Sequence, residues 1–188
     1  MTEKDDQTLI RECLGGQTES FNQLVLRHQN RLYNTLVNVL NSQEDARDVA
    51  QEAFVLAFQK LESFRGDSAF YSWLFRIAMN AAFSFQRKRK PTASIEAARE
   101  NAGAEPTDER QDSASSSALE SVETQQLVRT AIAQLSEEYR TVLVLKEMEG
   151  LRYEEIAEVV NCPIGTVRSR IHRARSELRE SLEALLKK

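Results

Sequence analysis

The residues best suited to chemistry in this chain are the cations between Ile164 and Arg175. This stretch holds four arginines, one histidine and no acidic residue. Guanidinium groups make paired hydrogen bonds to guanine and to phosphate, and serine or threonine hydroxyls can reach either. A surface this basic needs a polyanion or abundant water beside it. The segment therefore indicates nucleic-acid binding, and an ordinary solvated helix rich in arginine is the alternative.

The apolar residues of the same segment predict which of its side chains face outward. Val167, Ile171, Ala174 and Leu178 recur at the helical period. A short amphipathic stretch at 153–160 and a break at the Asn-Cys-Pro sequence of 161–163 come directly before it. Helix, short turn and basic helix together are typical of a helix-turn-helix. Burial of the apolar stripe would leave these residues on or beside the outward face: Thr166, Arg168, Ser169, His172 and Arg173.

A second group of residues, from Phe64 to Asn80, interleaves aromatic rings with arginines and leads into a cationic run at 86–90. Unstacked bases pack on aromatic rings while cations hold the nucleic-acid backbone. The alternative is that the rings simply form a core. Because Trp73 and Phe75 cannot share one helix face, we expect some of the rings to remain accessible.

A third feature is an acidic and amide face, formed by Asp48, Gln51 and Glu52, on a helix predicted over about 44–62. It is either a protein contact or ordinary solvated surface. No catalytic constellation accompanies these features: the two histidines are isolated, and no glycine-rich phosphate loop is present. Cys13 and Cys162 lie too far apart in the sequence to suggest a disulfide framework or a zinc site. We therefore expect free thiols, no cofactor and no enzymatic activity.

The elements that must position these residues are predicted to be helices throughout, because no segment alternates as a strand does. The expected fold class is all-α, with two small helical domains at 1–90 and 119–188 joined by a flexible acidic linker at 91–118. The net charge is only −4, so the cationic surfaces are local. The polar N-terminus and the absence of a long apolar run predict a soluble, cytoplasmic protein without a membrane contact of its own.

Taken in this order, the segments resemble the extracytoplasmic-function sigma factors of bacterial RNA polymerase, and in particular their sigma-E branch. The branch is indicated by FRGDSAFY at 64–71. The polymerase-binding signature is similar to DVAQEAF at 48–54, and the promoter-reading domain is similar to YEEIA at 153–157 with CPIGTVRSR at 162–170. The resemblance covers the chain except for the linker and the extreme ends.

This resemblance implies a promoter-specificity subunit that serves a stress or envelope regulon. Core RNA polymerase would be bound through the clamp helices of its largest subunit and through its flap, with a surface formed by Asp48, Gln51, Glu52 and Val55. The minus-thirty-five element would be read by the five outward residues of the basic helix. The melted minus-ten element would be held by Phe64, Ser68, Ala69, Tyr71, Trp73, Arg76, Asn80, Arg87 and Lys88.

The resemblance also implies an anti-sigma factor as a partner and an acidic linker, 96–112, that occupies the RNA-exit path of the polymerase. Arg152 replaces the serine common before the YEEIA helix, so we expect a normal N-cap to be missing there. The alternative function is a stand-alone helix-turn-helix regulator that binds DNA without polymerase. A protein-interaction module whose basic helix binds an acidic partner is a further alternative.

Overall fold

The computed structural model of the protein describes residues 4–89 and 116–187, and this part of the chain is helical without strands. This confirms the predicted all-α class. Residues 91–115 of the predicted linker lie outside the described residues, and its last three residues, 116–118, belong to α5. The helices are α1 (Asp6–Leu14), α2 (Glu19–Leu40), α3 (Gln43–Gln59), α4 (Phe70–Arg89), α5 (Ser116–Gln134), α6 (Glu137–Glu147), α7 (Tyr153–Val160) and α8 (Ile164–Leu186), with a 3-10 turn at Leu61–Ser63.

The first four helices form the N-terminal half of the structure. Asn41 ends α2 in the left-handed conformation, with φ of 55°, and the Ser42 hydroxyl then accepts a hydrogen bond from the Asp45 amide at 3.2 Å. This cap fixes the start of α3, close to the predicted start near residue 44. The face of α3 toward the core carries small residues, so α2 and α4 can pack closely on it; these residues are Ala46, Ala50, Ala53 and Ala57.

The last four helices form the C-terminal half around α6, which packs against both α7 and α8. Val167, Ile171 and Ala174 of α8 are buried, at no more than 1% exposure, as the apolar spacing predicts. Ser136 caps α6 by accepting from the Tyr139 amide at 3.4 Å. The chain leaves α6 through Gly150, whose φ of 69° favours glycine.

The two halves pack on each other. Helix α2 contacts α5 and α6, and α4 contacts α7, so that one continuous apolar core runs from Leu9 to Ile171. Arg140, only 9% exposed, donates across the contact from Nε to the carbonyl of Val39 at 3.2 Å. The sequence predicts two domains, but it does not predict that they share a core.

Two further expectations concern the thiols and the membrane. Cys13 is buried and Cys162 half-buried, and both are free, as expected. Within the described ranges, no helix combines the length and the apolar character needed to cross a bilayer.

Replacing Ile171 with alanine should lower the free energy of unfolding by about 2–5 kcal/mol, because the side chain is 1% exposed and its removal leaves a cavity under α8. Urea denaturation followed by circular dichroism measures this. The matched control is Ile164→Ala, on the same helix but 36% exposed, which should cost far less. Equal losses for the two variants would contradict the assignment of the buried stripe.

Candidate functional site

The basic face of α8 is an exposed cationic surface of the C-terminal half. Arg168, Ser169, His172 and Arg173 are exposed, and Thr166 is half-buried near the start of the helix. The burial of Val167 and Ile171 fixes the rotation of α8 and thereby turns these side chains outward. The five predicted residues therefore lie together on one side of one helix.

Helix α6 holds several arginines of α8 in fixed positions. Arg170 pairs with Glu138 at 2.7 Å, and Arg175 pairs with Glu147 at 2.6 Å. Hydrogen bonding to the Glu147 carboxylate raises the pKa of Arg175. By contrast, the side chains of Arg168 and His172 have no hydrogen bond or ion pair to the part of the chain that the structure describes. They keep their donors available to an external partner.

The side chain of Arg173 has one long hydrogen bond, so it is neither held in an ion pair nor without a partner. Its Nη1 donates to the Tyr139 hydroxyl at 3.5 Å, and this contact raises the pKa of Arg173. A long bond at an exposed site is weak, because water competes for both groups. Arg173 is therefore directed toward one side of α8 while remaining able to exchange the phenol for another acceptor.

The turn before α8 begins with Asn161, which ends α7 in the left-handed conformation with φ of 50°. At the other end of α7, Arg152 supplies no side-chain acceptor as an N-cap, in agreement with the sequence. Its backbone amide, however, donates to Glu155 Oε2 at 2.8 Å. This carboxylate supplies one half of a capping box. It therefore offsets part of the stability expected to be lost because Arg152 offers no side-chain acceptor. The bond from the Arg152 amide is the main reason that the pKa of Glu155 lies below its ordinary value.

The loop before α4 and the first turn of this helix bring three aromatic rings together. Phe64 lies 5.3 Å from Trp73 and 5.9 Å from Phe70, measured between ring centroids. Phe70 is buried, whereas Phe64 and Trp73 are half-buried, and Ser68 and Ala69 beside them are exposed. Phe70 therefore belongs to the core, whereas two rings keep an accessible edge, and the binding of bases by these rings stays a prediction.

The other predicted minus-ten residues follow along α4. Arg76, Asn80, Arg87 and Lys88 are exposed, but Tyr71 is only 8% exposed. Arg31 of its own half lies over its ring, and Glu149 of the C-terminal half accepts a hydrogen bond from its hydroxyl. Asn80 and Arg87 line a cleft whose opposite wall is formed by Glu158, Val159 and Asn161 at the end of α7. In this arrangement, Tyr71 cannot reach a nucleic acid, and Asn80 can reach one only through that cleft.

The acidic and amide face lies on the exposed side of α3. Asp48, Gln51, Glu52 and Val55 are all exposed, and Val55 is 50% exposed. Gln51 and Val55 also line an open groove between α2 and α3, together with Phe58, which is 44% exposed. Exposed apolar side chains rimmed by polar ones are typical of a surface that binds a protein.

Several residues at the contact between the halves have few distinctive features in the sequence. They include Arg31 and Thr35 of α2, and Arg140 and Glu149 from α6 and the loop after it. Among these four residues, only Arg140 has a sequence feature that indicates burial, because it lies on the apolar face of its helix. The other three have the spacing and polarity of ordinary surface residues.

The fold and the exposed basic helix define a helix-turn-helix protein with an additional helical domain, and comparisons with known proteins agree. Residues 24–92 match the family described as Sigma-70 region 2, and residues 125–178 match Sigma-70, region 4. RNA polymerase sigma-H factor of Pseudomonas aeruginosa is 42% identical over 100% of this chain and 98% of its own length. The ECF RNA polymerase sigma-E factor of Escherichia coli K12 is 40% identical, over 97% of each chain.

Solved structures give the same result. The sigma factor RpoE of Bartonella quintana, in complex with the anti-sigma factor NepR, superposes with a TM-score of 0.67 at 28% identity, over 88% of this chain and 98% of its own. CnrH, in complex with the cytosolic domain of CnrY, has a TM-score of 0.60 at 27% identity, over 95% and 97% of the two chains. The chain belongs to the sigma-70 family, and within it to the extracytoplasmic-function sigma factors. It therefore directs promoter-specific initiation of transcription.

Replacing Glu155 with alanine should lower the free energy of unfolding by about 1 kcal/mol at pH 7, because the Arg152 amide loses its acceptor. The pKa of Glu155 is lower in the folded state, so its contribution is fully present above pH 4.5, the ordinary value, and is lost as the pH falls through the folded value. Urea titrations at pH 7 and near pH 3 measure the difference.

The control is Glu154→Ala, in the same turn of α7 but without a hydrogen bond to the cap. It loses only the favourable charge at the helix start. If the cost of Glu155→Ala were the same at both pH values, the carboxylate would not be the stabilising group.

Proposed function

We propose that the outward residues of α8 read the minus-thirty-five element in the major groove. Arg168 and His172, which have no partner within the described residues, would contact base edges, and Ser169 and Arg173 would flank them. Thr166, near the helix start, would bind phosphate, where the amide groups of the helix favour an anion. The observation that carries this proposal is the basic face of α8, turned outward by a buried apolar stripe and braced from behind by α6.

We further propose that the loop 64–69 and the adjoining turn of α4 capture bases of the melted minus-ten element. The accessible edges of Phe64 and Trp73 would stack on a flipped base, and Ser68, Ala69 and Asn80 would line its pocket. Arg76, Arg87 and Lys88 would hold the strand, as cations along one helix can. Tyr71 joins this surface only when the C-terminal half moves away from it.

The exposed face of α3 is the proposed binding site for core polymerase. Asp48, Gln51 and Glu52 would form polar contacts with the clamp helices of the largest subunit, and Val55 would pack beside them. The apolar groove next to Val55 supports this proposal, because it offers a buried centre within a polar rim. The C-terminal half, 119–188, would contact the flap while it binds DNA.

The solved structures of related sigma factors suggest a further partner for this protein. RpoE and CnrH were solved in complex with NepR and with the cytosolic domain of CnrY, so we propose that an anti-sigma factor binds this chain as well. The protein would act in the cytoplasm as a non-catalytic subunit that serves a stress or envelope regulon. The linker at 91–118 would tether the two DNA-binding domains and enter the RNA-exit path.

Run-off transcription on a promoter library, with purified core polymerase, tests these assignments. Adding the protein should produce initiation at a subset of sequences that share two elements. Arg168→Ala should relax the selection at one position of the minus-thirty-five element and cost about 1–3 kcal/mol in promoter affinity, because a base contact is lost.

The control is Arg179→Ala, an exposed arginine on the same helix beyond the proposed DNA contacts. It should leave the selected sequences unchanged. Identical selection by wild type and Arg168→Ala would remove Arg168 from the readout. No initiation by folded protein would contradict the proposed interfaces.

Charge reversal on α3 tests the polymerase face separately. Glu52→Lys should weaken binding to core polymerase by at least about tenfold, because a positive charge would replace a carboxylate at the contact. Fluorescence anisotropy of labelled protein with core polymerase measures the affinity. Glu62→Lys, an equally exposed position outside α3, is the matched control and should bind as the wild type does. If the two variants bound alike, the polymerase would contact another surface.

A further inference from the structure

Helix α1 packs against the turn that leads into the loop 64–69. Its apolar residues Leu9 and Ile10 are buried, and the helix contacts the 3-10 turn at Leu61–Ser63. The amide of Phe64 donates to the carbonyl of Leu61 at 3.1 Å, which ties the first ring of the loop to this turn. The position of α1 therefore affects where the loop begins.

The carboxylate of Asp6, in the first turn of α1, joins this helix to α2. Its Oδ2 lies 2.8 Å from Nε2 of His28, and its Oδ1 lies 2.5 Å from Nη1 of Arg27. The side chain of His28 is only 12% exposed, and that of Asp6 is 25% exposed. A hydrogen bond to an ionised group is stronger than a neutral one, and partial shielding from water strengthens it further. The carboxylate therefore restricts the orientation of the His28 ring.

The His28 ring in turn packs against the first two residues of α4. Its centroid lies 5.6 Å from that of Phe70 and 5.7 Å from that of Tyr71, at the spacing of favourable ring pairs. Phe70 is also the neighbour of both accessible rings, because its centroid lies 5.9 Å from Phe64 and 5.8 Å from Trp73. Close-packed side chains transmit displacements to one another. A shift of the imidazole would therefore reach the accessible rings through one buried phenylalanine.

We propose that Asp6 and His28 are positioning residues for capture of the minus-ten strand. Their hydrogen bond sets the imidazole, the imidazole supports Phe70, and Phe70 holds the rings of Phe64 and Trp73 where a flipped base can stack. This rests on the proposed function of the loop 64–69. Neither Asp6 nor His28 needs to touch DNA. Because the rings are already in place, less ordering is required when the base arrives.

The alternative role for this pair is to stabilise the fold alone, as a partly buried ion pair between two helices can. The two roles predict different results for substitutions at Asp6 and His28. Loss of a purely stabilising bond lowers the free energy of unfolding but leaves the folded molecules fully active. Loss of a positioning bond slows strand capture even in molecules that are folded.

The first test measures promoter opening by holoenzyme assembled from purified core polymerase and the full-length protein. In Asp6→Asn one acceptor oxygen replaces two, and His28→Phe keeps a ring but loses the donor. Each variant should open a promoter selected by run-off transcription more slowly, by about fivefold, which corresponds to one net hydrogen bond. Initial binding of the duplex promoter should not change. A fluorescent base analogue in the minus-ten element, followed at several holoenzyme concentrations, separates the two steps.

The matched control is Glu12→Gln, which also removes one of two carboxylate oxygens from α1. Glu12 accepts from the Ser20 hydroxyl at 2.7 Å and pairs with Lys4 at 2.6 Å, so it ties α1 to the first turn of α2 rather than to His28. This variant should open the promoter as fast as the wild type. The positioning role is refuted if Asp6→Asn and His28→Phe also open it at the wild-type rate, or if Glu12→Gln slows opening as much as they do.

A double variant tests whether the two residues act through the same bond. Because either substitution breaks that bond, combining Asp6→Asn with His28→Phe should slow opening no further than the slower single variant does. Fully additive effects on the logarithm of the rate would mean that the two residues act separately, and the proposed chain of contacts would be wrong.

The fluorescence of Trp73, the chain's single tryptophan, reports on the rings without DNA or polymerase. In folded Asp6→Asn, acrylamide should quench the Trp73 emission more strongly than in the wild type, because the rings around it are held less firmly. Glu12→Gln should be quenched as the wild type is. Urea unfolding of each variant identifies the conditions in which all are folded. Equal quenching of Asp6→Asn and wild type would contradict the positioning role.

Phe64→Ala separates a failure of this inference from a failure of the proposed function. If Phe64→Ala slows promoter opening but Asp6→Asn and His28→Phe do not, the capture site stands and the positioning role alone is wrong. If Phe64→Ala opens the promoter at the wild-type rate, the proposed capture site is wrong, and the positioning role falls with it.

Discussion

The burial of one guanidinium group, that of Arg140, constrains how the helices of this protein can be arranged. A cation removed from water needs acceptors at several of its donors. Besides the Val39 carbonyl, Arg140 Nη1 donates to the carbonyls of Ala133 and Leu135, each at 3.2 Å. Burial lowers the pKa of Arg140, and the negative charge of the nearby Glu137 opposes this effect by favouring the charged form. Helix α6 therefore cannot slide along α2 without leaving a buried charge unsatisfied.

This anchoring of α6 extends to the basic helix α8. Two acidic residues near the ends of α6, Glu138 and Glu147, pair with Arg170 and Arg175 of α8. One short helix of eleven residues thus contacts α2 and braces the basic face of α8. Its core face supplies Val142 and Leu145, which are fully buried. Movement of the two halves and orientation of the basic helix are consequently linked through the same element.

Much of the fold follows from the sequence because helical periodicity is a local property. The spacing of Val167, Ile171 and Ala174 is enough to predict both the buried stripe of α8 and its outward residues. The contacts of Glu149 cannot be predicted in the same way, because they join residues more than a hundred positions apart in the case of Thr35. Tyr71 shows the consequence: its type and position suggest a nucleic-acid contact, but only the tertiary structure reveals that it is buried between Arg31 and Glu149.

The carboxylates of Glu149 and Glu158 have a consequence for the ionic-strength dependence of promoter capture. They lie beside Arg31 and Arg76, in the way that phosphates of a bound strand would lie beside cations. If DNA bound this side of α4 as proposed, Arg76 would exchange one anion for another, and the freed carboxylates would take up cations that the strand gave up. Fewer ions would then be released than the number of new phosphate contacts suggests. Binding of the minus-ten strand would then depend less steeply on salt than binding of the minus-thirty-five duplex by α8.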